Sequence, residues 1–378
     1  MRRGPGFESA SDTTHDEGLM REALALAYQM NGLTTPNPAV GCVIVRGGKI
    51  VGRGATAAGG RPHAETQALA AAGARARGAT AYVSFEPCAH QGQTAPCARA
   101  LIEAKVARVV VGCVDPYPAV RGRGIAMLRR AGIATTAGVL EAECRRMVEG
   151  FISRVTRGRP FVILKLAMSL DGRIAAASGD SRWISSEESR AIVHRWRREA
   201  DAVMVGAGTV IADNPRLTCR VEGGRDPARV IIDQRLRCPP DARVFRGRSD
   251  AAAILVTAAS EAARARHRYG DKVELIGADT NADGIPLDAV MRRFGERGWS
   301  KILIEGGAHL AGAALKAGVV DRVAFFIAPR IIGGGLAAVE GLDFTRVRDS
   351  VRLEKLNARQ VGEDWLLEAE VVRRRRAG

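Results

Sequence analysis

Three side chains with the affinities of a zinc site lie in the first hundred residues of the chain. They are His63 in His63-Ala64-Glu65, Cys88 in Glu86-Pro87-Cys88, and Cys97 nine positions further on. One imidazole and two thiolates leave a tetrahedral position open, which is the arrangement of a catalytic zinc rather than a closed structural one. A metal so held makes water acidic enough to attack near neutral pH. Glu65, two residues from a ligand, is placed to reach that water without binding the metal and to shuttle its proton. A thiolate beside a helix start is further favoured by the helix dipole, which suits Cys88 and Cys97. Taken singly, these residues could be a helix cap, a first-turn acid and two small core side chains. Taken together they point to metal-assisted hydrolysis. His90, two residues from Cys88, is an alternative ligand that Cys97 makes unnecessary.

The second half carries a different kind of site. No Gly-x-Gly-x-x-Gly follows its first strand, which disfavours the usual dinucleotide-binding fold. In ILIEGGAHLAGAAL a strand ends at Glu305, two glycines let the backbone approach a ligand, and a helix begins whose free N–H groups suit a pyrophosphate. Gly206-Ala207-Gly208-Thr209 repeats the device after another strand. Lys165 ends the apolar run FVILK, where an unpaired ammonium is costly, so it is expected to face an anion or a carboxylate.

Elements must hold these residues. Periodicity predicts a helix over Leu19–Met30, a hairpin of VGCVIV and KIVGRG turning at Arg46-Gly47-Gly48, and a helix from about His63 to Ala72. Strand AYVSF, a helix from about Ala95 to Ala104 and strand RVVVGC follow. One helix, LEAECRRMVEGFISRV, runs to about Val155. The strands FVILKLA, AVMVG, ARVIID, AAILVT, KILIE and RVAFFIA then alternate with helices. This order predicts two α/β domains, 17–155 and 160–372, with residues 1–16 as a disordered extension and the chemistry at one edge of each sheet.

At 378 residues the chain exceeds what one core ordinarily serves. The net charge of +16 raises the question of nucleic acid. The arginines are scattered, however, and only Arg373 to Arg376 form a run, read as a solvated tail. Seven cysteines in a chain with no expected export signal suggest metal ligation or burial in a reducing, cytoplasmic setting. No run is apolar enough to cross a bilayer.

The His-x-Glu, the Pro-Cys and the second Cys stand in the order of the zinc nucleobase deaminases. Eight residues separate the cysteines where two are common. With Asn37 in TPNPAVG, Pro62 before His63, and Asp115-Pro116 followed by Gly122-x-Gly124, this resembles the bifunctional deaminase/reductase family of riboflavin biosynthesis. The segments KLAMSLDGRIA, SRWIS, VMVGAGTVIADNPRLTCR, LIEGGAHLAGAAL and APRIIGGG resemble that family's reductase domain in the same order. The resemblance implies a cytidine-deaminase-like three-layer α/β domain followed by a dihydrofolate-reductase-like domain, with Zn2+ and NADPH as cofactors. Its substrates would be small phosphoribosyl pyrimidines, with no nucleic acid and no membrane; a homo-oligomer is compatible with it. It also implies catalytic roles for Glu65, Lys165 and Asp213. It places Met168, Trp183, Thr209, Asp213, Gly307, Ala308, His309, Leu310, Ala311, Gly312 and Ala313 at NADPH. Substrate is assigned to Asn37, His90, Ser181, Arg197, Leu217, Arg220 and Glu305, the two arginines suiting a phosphate. Gln93 and Tyr117 depart from the family's usual basic residue and Asn, and are expected to leave the deaminase intact because neither touches the metal.

Overall fold

A computed structural model describes residues 10–90, 95–118, 120–246 and 249–373. Two compact units divide between Gly158 and Arg159.

The first unit runs α1 (Ala10–Met30), β1 (Gly41–Arg46), β2 (Lys49–Ala55), α2 (Ala64–Ala72), β3 (Thr80–Phe85), α3 (Cys97–Glu103), β4 (Arg108–Cys113), α4 (Arg123–Arg130), β5 (Ala134–Ala137), α5 (Glu141–Met147) and α6 (Glu149–Arg157). Its sheet has the order β2-β1-β3-β4-β5. The β1 pairings are antiparallel and the β3–β4 and β4–β5 pairings parallel. Alternation along β1 and β2 fixes the layers. Gly52 and Gly54 lie on one face, where added Cβ atoms would strike the backbone of α2 at Ala68 and Ala64. They pair with Ile44 and Cys42, so Gly41, next to Cys42, points the other way, where a Cβ would lie 1.8 Å from the Ala23 carbonyl of α1. The two helices therefore cover opposite faces, giving three layers.

Two expectations are corrected here. The extension expected over 1–16 gives way to helix at Ala10, and Asp16 is 2% exposed, accepting hydrogen bonds from Tyr82 Oη at 2.8 Å and from Arg108. Sequence periodicity misses this because the anchor is polar, and its partners lie 66 and 92 residues away. The single helix expected through LEAECRRMVEGFISRV breaks at Val148, with φ −106° and ψ 14° between α5 and α6.

The second unit is built on nine strands: β6 (Phe161–Ser169), β8 (Ala202–Gly206), β9 (Ala228–Ile232), β10 (Ala253–Ala258), β11 (Glu274–Ala278), β12 (Lys301–Glu305), β13 (Arg322–Ala328), β15 (Leu353–Val361) and β16 (Asp364–Val371). Their order is β11-β10-β9-β8-β12-β6-β13-β16-β15, with the two-stranded β7 (Arg173–Ala175) and β14 (Leu336–Ala337) apart. Pairings from β11 to β13 are parallel, and β16 and β15 add an antiparallel hairpin. Helices α7 (Glu187–Glu199), α8 (Ala207–Asp213), α9 (Arg243–Arg246), α10 (Ala262–Tyr269), α11 (Leu287–Glu296) and α12 (Ala308–Lys316) connect them. The apolar strands named from sequence are present. The C-terminal hairpin is not among them, since β15 is exposed along nearly its whole length and lacks an apolar alternation. Arg159 is clamped to Asp321 by two bonds of 2.8 and 2.9 Å, and the same carboxylate accepts the Val162 N–H, fixing the start of β6. Arg373, read from sequence as part of a solvated tail, also pairs with Asp321; Arg374 to Arg376 lie outside the described residues. Among the described residues no helix is long and apolar enough to cross a membrane.

Candidate active sites

His63 is the N-cap residue of α2, yet its ring makes no capping bond, and Cys97 opens α3. Their donor atoms and Cys88 Sγ all lie within 4.8 Å of one another. His63 Nδ1 is 3.3 Å from Cys97 Sγ and 3.8 Å from Cys88 Sγ, while the Cys97 N–H donates to Cys88 Sγ at 3.3 Å. The hydrogen bond with Cys97 leads in holding the Cys88 thiol down at about 4, and the same bond raises Cys97. The bond to Cys88 likewise raises His63. A soft, anion-forming set of one nitrogen and two sulfurs fits zinc.

Glu65, 4% exposed, lies in the first turn of α2, and burial lifts its carboxyl to about 7. It lines a cleft of about 260 Å³ with Asn37, His63, Cys88, His90 and Asp115. Asn37 Nδ2 donates to the Gly60 carbonyl at 2.8 Å, which orients its oxygen as the free end of the amide. The structure thus gathers the candidate ligands His63 and Cys88 with Glu65, Asn37 and His90 around one space, with Cys97 against His63 behind them. Gln93 lies outside the described residues; Tyr117 is exposed.

Sequence reasoning gives Glu86 no role, yet its buried carboxylate accepts four backbone N–H groups. Oε2 takes Asp115 and Gly122 at 3.1 and 2.9 Å, and Oε1 takes Gly124 and Ile125 at 2.9 and 3.3 Å. It thereby pins the 115–125 wall of the cleft. Nothing in a local motif signals donors 29 to 39 positions away.

In the second unit, Glu305 and Lys165 are register partners on β12 and β6, so their side chains share a face. Lys165 Nζ sits 5.7 Å from the Phe326 ring centroid on that face. Burial lowers the Lys165 ammonium, with Glu305 opposing. Burial also works against the Glu305 charge, but Arg197, its hydrogen bonds and Lys165 outweigh it and hold the carboxyl below the usual range. The carboxylate expected opposite Lys165 is therefore Glu305. Arg197, expected at substrate phosphate, is committed elsewhere: Nε and NH2 meet Glu305 at 2.6 and 2.8 Å, and NH1 meets the Thr218 carbonyl at 3.0 Å. Arg220 is exposed, and Leu217 is buried at φ 56° in the core.

The two strand-to-helix turns meet. A Cβ on Gly307 would lie 3.0 Å from Thr209 Oγ1, and one on Gly206 would lie 3.6 Å from Leu310 Cβ. Gly307, at φ 84°, leaves a bare backbone cradle before α12, which fits a pyrophosphate approached by helix N–H groups. The NADPH residues expected from 307 to 313 divide. Leu310, Ala311 and Gly312 pack inward, and a Cβ on Gly312 would overlap the Glu340 carbonyl oxygen, so their side positions serve the core. His309 is exposed and pairs with Glu340 at 3.1 Å, Ala308 is buried, and Ala313 is exposed. Ser181 Oγ donates to Asp213 Oδ1 at 3.5 Å at the end of α8. Met168 is half-buried, and exposed Trp183 lies 4.6 Å beneath the Arg190 guanidinium.

Fold and sites together define a two-unit enzyme, a zinc-site pyrimidine deaminase followed by a nucleotide-dependent reductase. Residues 13–113 match the cytidine and deoxycytidylate deaminase zinc-binding region, and residues 160–367 match the RibD C-terminal domain. The chain is 40% identical over 353 residues to riboflavin biosynthesis protein RibD of Aquifex aeolicus, covering 93% of this chain and 97% of that one. It is 43% identical over 358 residues to that of a Synechocystis strain, with coverage of 94% and 95%. A solved deaminase/reductase of Thermotoga maritima superposes with a TM-score of 0.86 at 37% identity, covering 95% of this chain and 99% of its own. The chain belongs to the RibD family, the bifunctional deaminases and reductases of riboflavin biosynthesis.

Proposed function

We propose that the first unit hydrolyses the 2-amino group of 2,5-diamino-6-(5-phosphoribosylamino)pyrimidin-4(3H)-one and that the second reduces the ribosyl group of the resulting uracil to ribityl. The gathering of His63, Cys88 and Cys97 donors within 4.8 Å, with Glu65 in the same cleft, carries the reading. His63, Cys88 and Cys97 would hold zinc, which supplies Lewis-acid activation of water. Glu65 takes a proton from the attacking water and returns it to the departing amine, so that water and amine become carbonyl and ammonia. Asn37 Oδ1 and His90 orient the pyrimidine. In the second unit the Gly306-Gly307 turn and Thr209 would hold NADPH, which supplies hydride. Lys165, the register partner of Glu305, and Asp213, held by Ser181, face the ribosyl chain.

Substrate recognition needs neither nucleic acid nor membrane, and we place the enzyme in the cytoplasm. A second copy is proposed across exposed β15, where Leu353 and Leu356 leave an edge strand uncovered, to be checked by light scattering. The function is tested by a coupled assay. A chelator should abolish ammonia release from the diaminopyrimidine nucleotide, while NADPH oxidation with the deaminated uracil continues. Deamination that survives complete zinc removal would refute the assignment.

A further inference from the structure

The deaminase cleft must admit a phosphate, and its wall charges oppose one. Among its lining residues are the carboxylates of Glu65, Glu86 and Asp115. The segment between the two ligating cysteines, Ala-His-Gln-Gly-Gln-Thr-Ala-Pro, brings no lysine or arginine. One lining side chain carries a permanent positive charge, Arg61, half-buried at the cleft wall. A phosphate monoester bears close to two negative charges near pH 7, and in a partly enclosed space a wall that carries carboxylates repels it.

We infer that Arg61 is the phosphate-selecting residue of the deaminase cleft, its guanidinium meeting the 5-phosphate of the phosphoribosyl pyrimidine so that the nucleotide is preferred to the riboside. The inference rests on the deaminase reading above. Arginine suits the task because its planar fork gives a phosphate two parallel hydrogen bonds and stays charged at every working pH. Because Arg61 is neither a metal ligand nor the proton carrier, its contribution should fall on KM for the nucleotide more than on kcat.

The test uses the full zinc-loaded chain with Arg61→Met and Arg61→Lys, following ammonia from the nucleotide and from its dephosphorylated riboside, with ribose 5-phosphate as a competing probe. In Arg61→Met the ratio of kcat/KM for nucleotide to that for riboside should fall about tenfold or more, the scale of one charge-assisted hydrogen bond. The change should lie mainly in KM, and inhibition by ribose 5-phosphate should weaken in parallel. Arg61→Lys should keep an intermediate preference, since charge survives without the fork. Reduction by the second unit of each variant serves as the folding control. An unchanged nucleotide-to-riboside ratio in Arg61→Met overturns the inference, as does wild-type deamination indifferent to ribose 5-phosphate. Wild-type protein that releases ammonia from neither compound would instead overturn the deaminase reading itself.

Discussion

Replacing Asp16 with Ala removes the polar anchor of α1. The carboxylate is 3% exposed and accepts from Arg108 NH1 and NH2 at 3.0 and 2.6 Å and from Tyr82 Oη at 2.8 Å. Without it the Tyr82 hydroxyl loses its acceptor, at a cost of about 1–2 kcal/mol. Arg108 is 28% exposed and keeps Thr136 Oγ1 at 3.0 Å, so loss of its ion pair is discounted to about 1 kcal/mol. The total is about 2–3 kcal/mol. With a urea m-value of about 2 kcal/mol per molar, the midpoint of the first unit should fall by roughly 1–1.5 M. The chain contains its own control: all four tryptophans, Trp183, Trp196, Trp299 and Trp365, lie in the second unit. Far-ultraviolet dichroism should therefore show an early transition in Asp16→Ala while the tryptophan fluorescence transition stays in place. A midpoint shift below about 0.3 M would mean that the start of α1 adds nothing to the fold, and the anchoring argument would fail.

Three further outcomes follow from the geometry. Glu86→Gln sets an amide N–H₂ against two backbone N–H donors, so deaminase kcat/KM should fall more than tenfold with zinc content and reductase activity retained; unchanged deamination would remove Glu86 from the cleft's support. Arg197→Met strands the buried Glu305 carboxylate, and the tryptophan transition should lose about 3 kcal/mol while ammonia release persists. Asp171 is held at about 2, from 3.8, by the Ser169 hydroxyl first and then the Ile332 and Gly333 N–H groups. A depressed carboxyl stabilises above its unfolded pKa and loses that contribution as pH falls through the folded one. The Tm advantage of wild type over Asp171→Asn should thus be full at pH 6 and shrink between about pH 4 and pH 2; an advantage that grows on acidification would contradict the sign.

The candidate zinc ligands and Glu65 were legible because ligand chemistry restricts residue type, and because His63 and Glu65 are neighbours fixed by one helix start. The apolar strands were legible because continuous burial on both faces of parallel-paired strands leaves runs such as RVVVGC and KILIE. The β15–β16 hairpin was not, since β15 has no buried side to imprint on its sequence. The inward packing of Leu310, Ala311 and Gly312 was also hidden, because a glycine that frees backbone for a ligand and one that admits a neighbouring carbonyl look identical in a string of letters.

By itself the sequence determined which chemistry this protein carries, its α/β class, and a candidate set of metal-binding side chains, since these depend on residue type and on spacing within one or two elements. Tertiary structure alone decided that Glu86 holds the cleft wall, that Arg197 grips Glu305, that Asp16 anchors α1, and that Arg61 is the cation on the cleft wall. Each of these is a hydrogen bond or charge balance between groups brought together by the fold, often from dozens of positions apart, and such pairing leaves no periodicity in the chain to read.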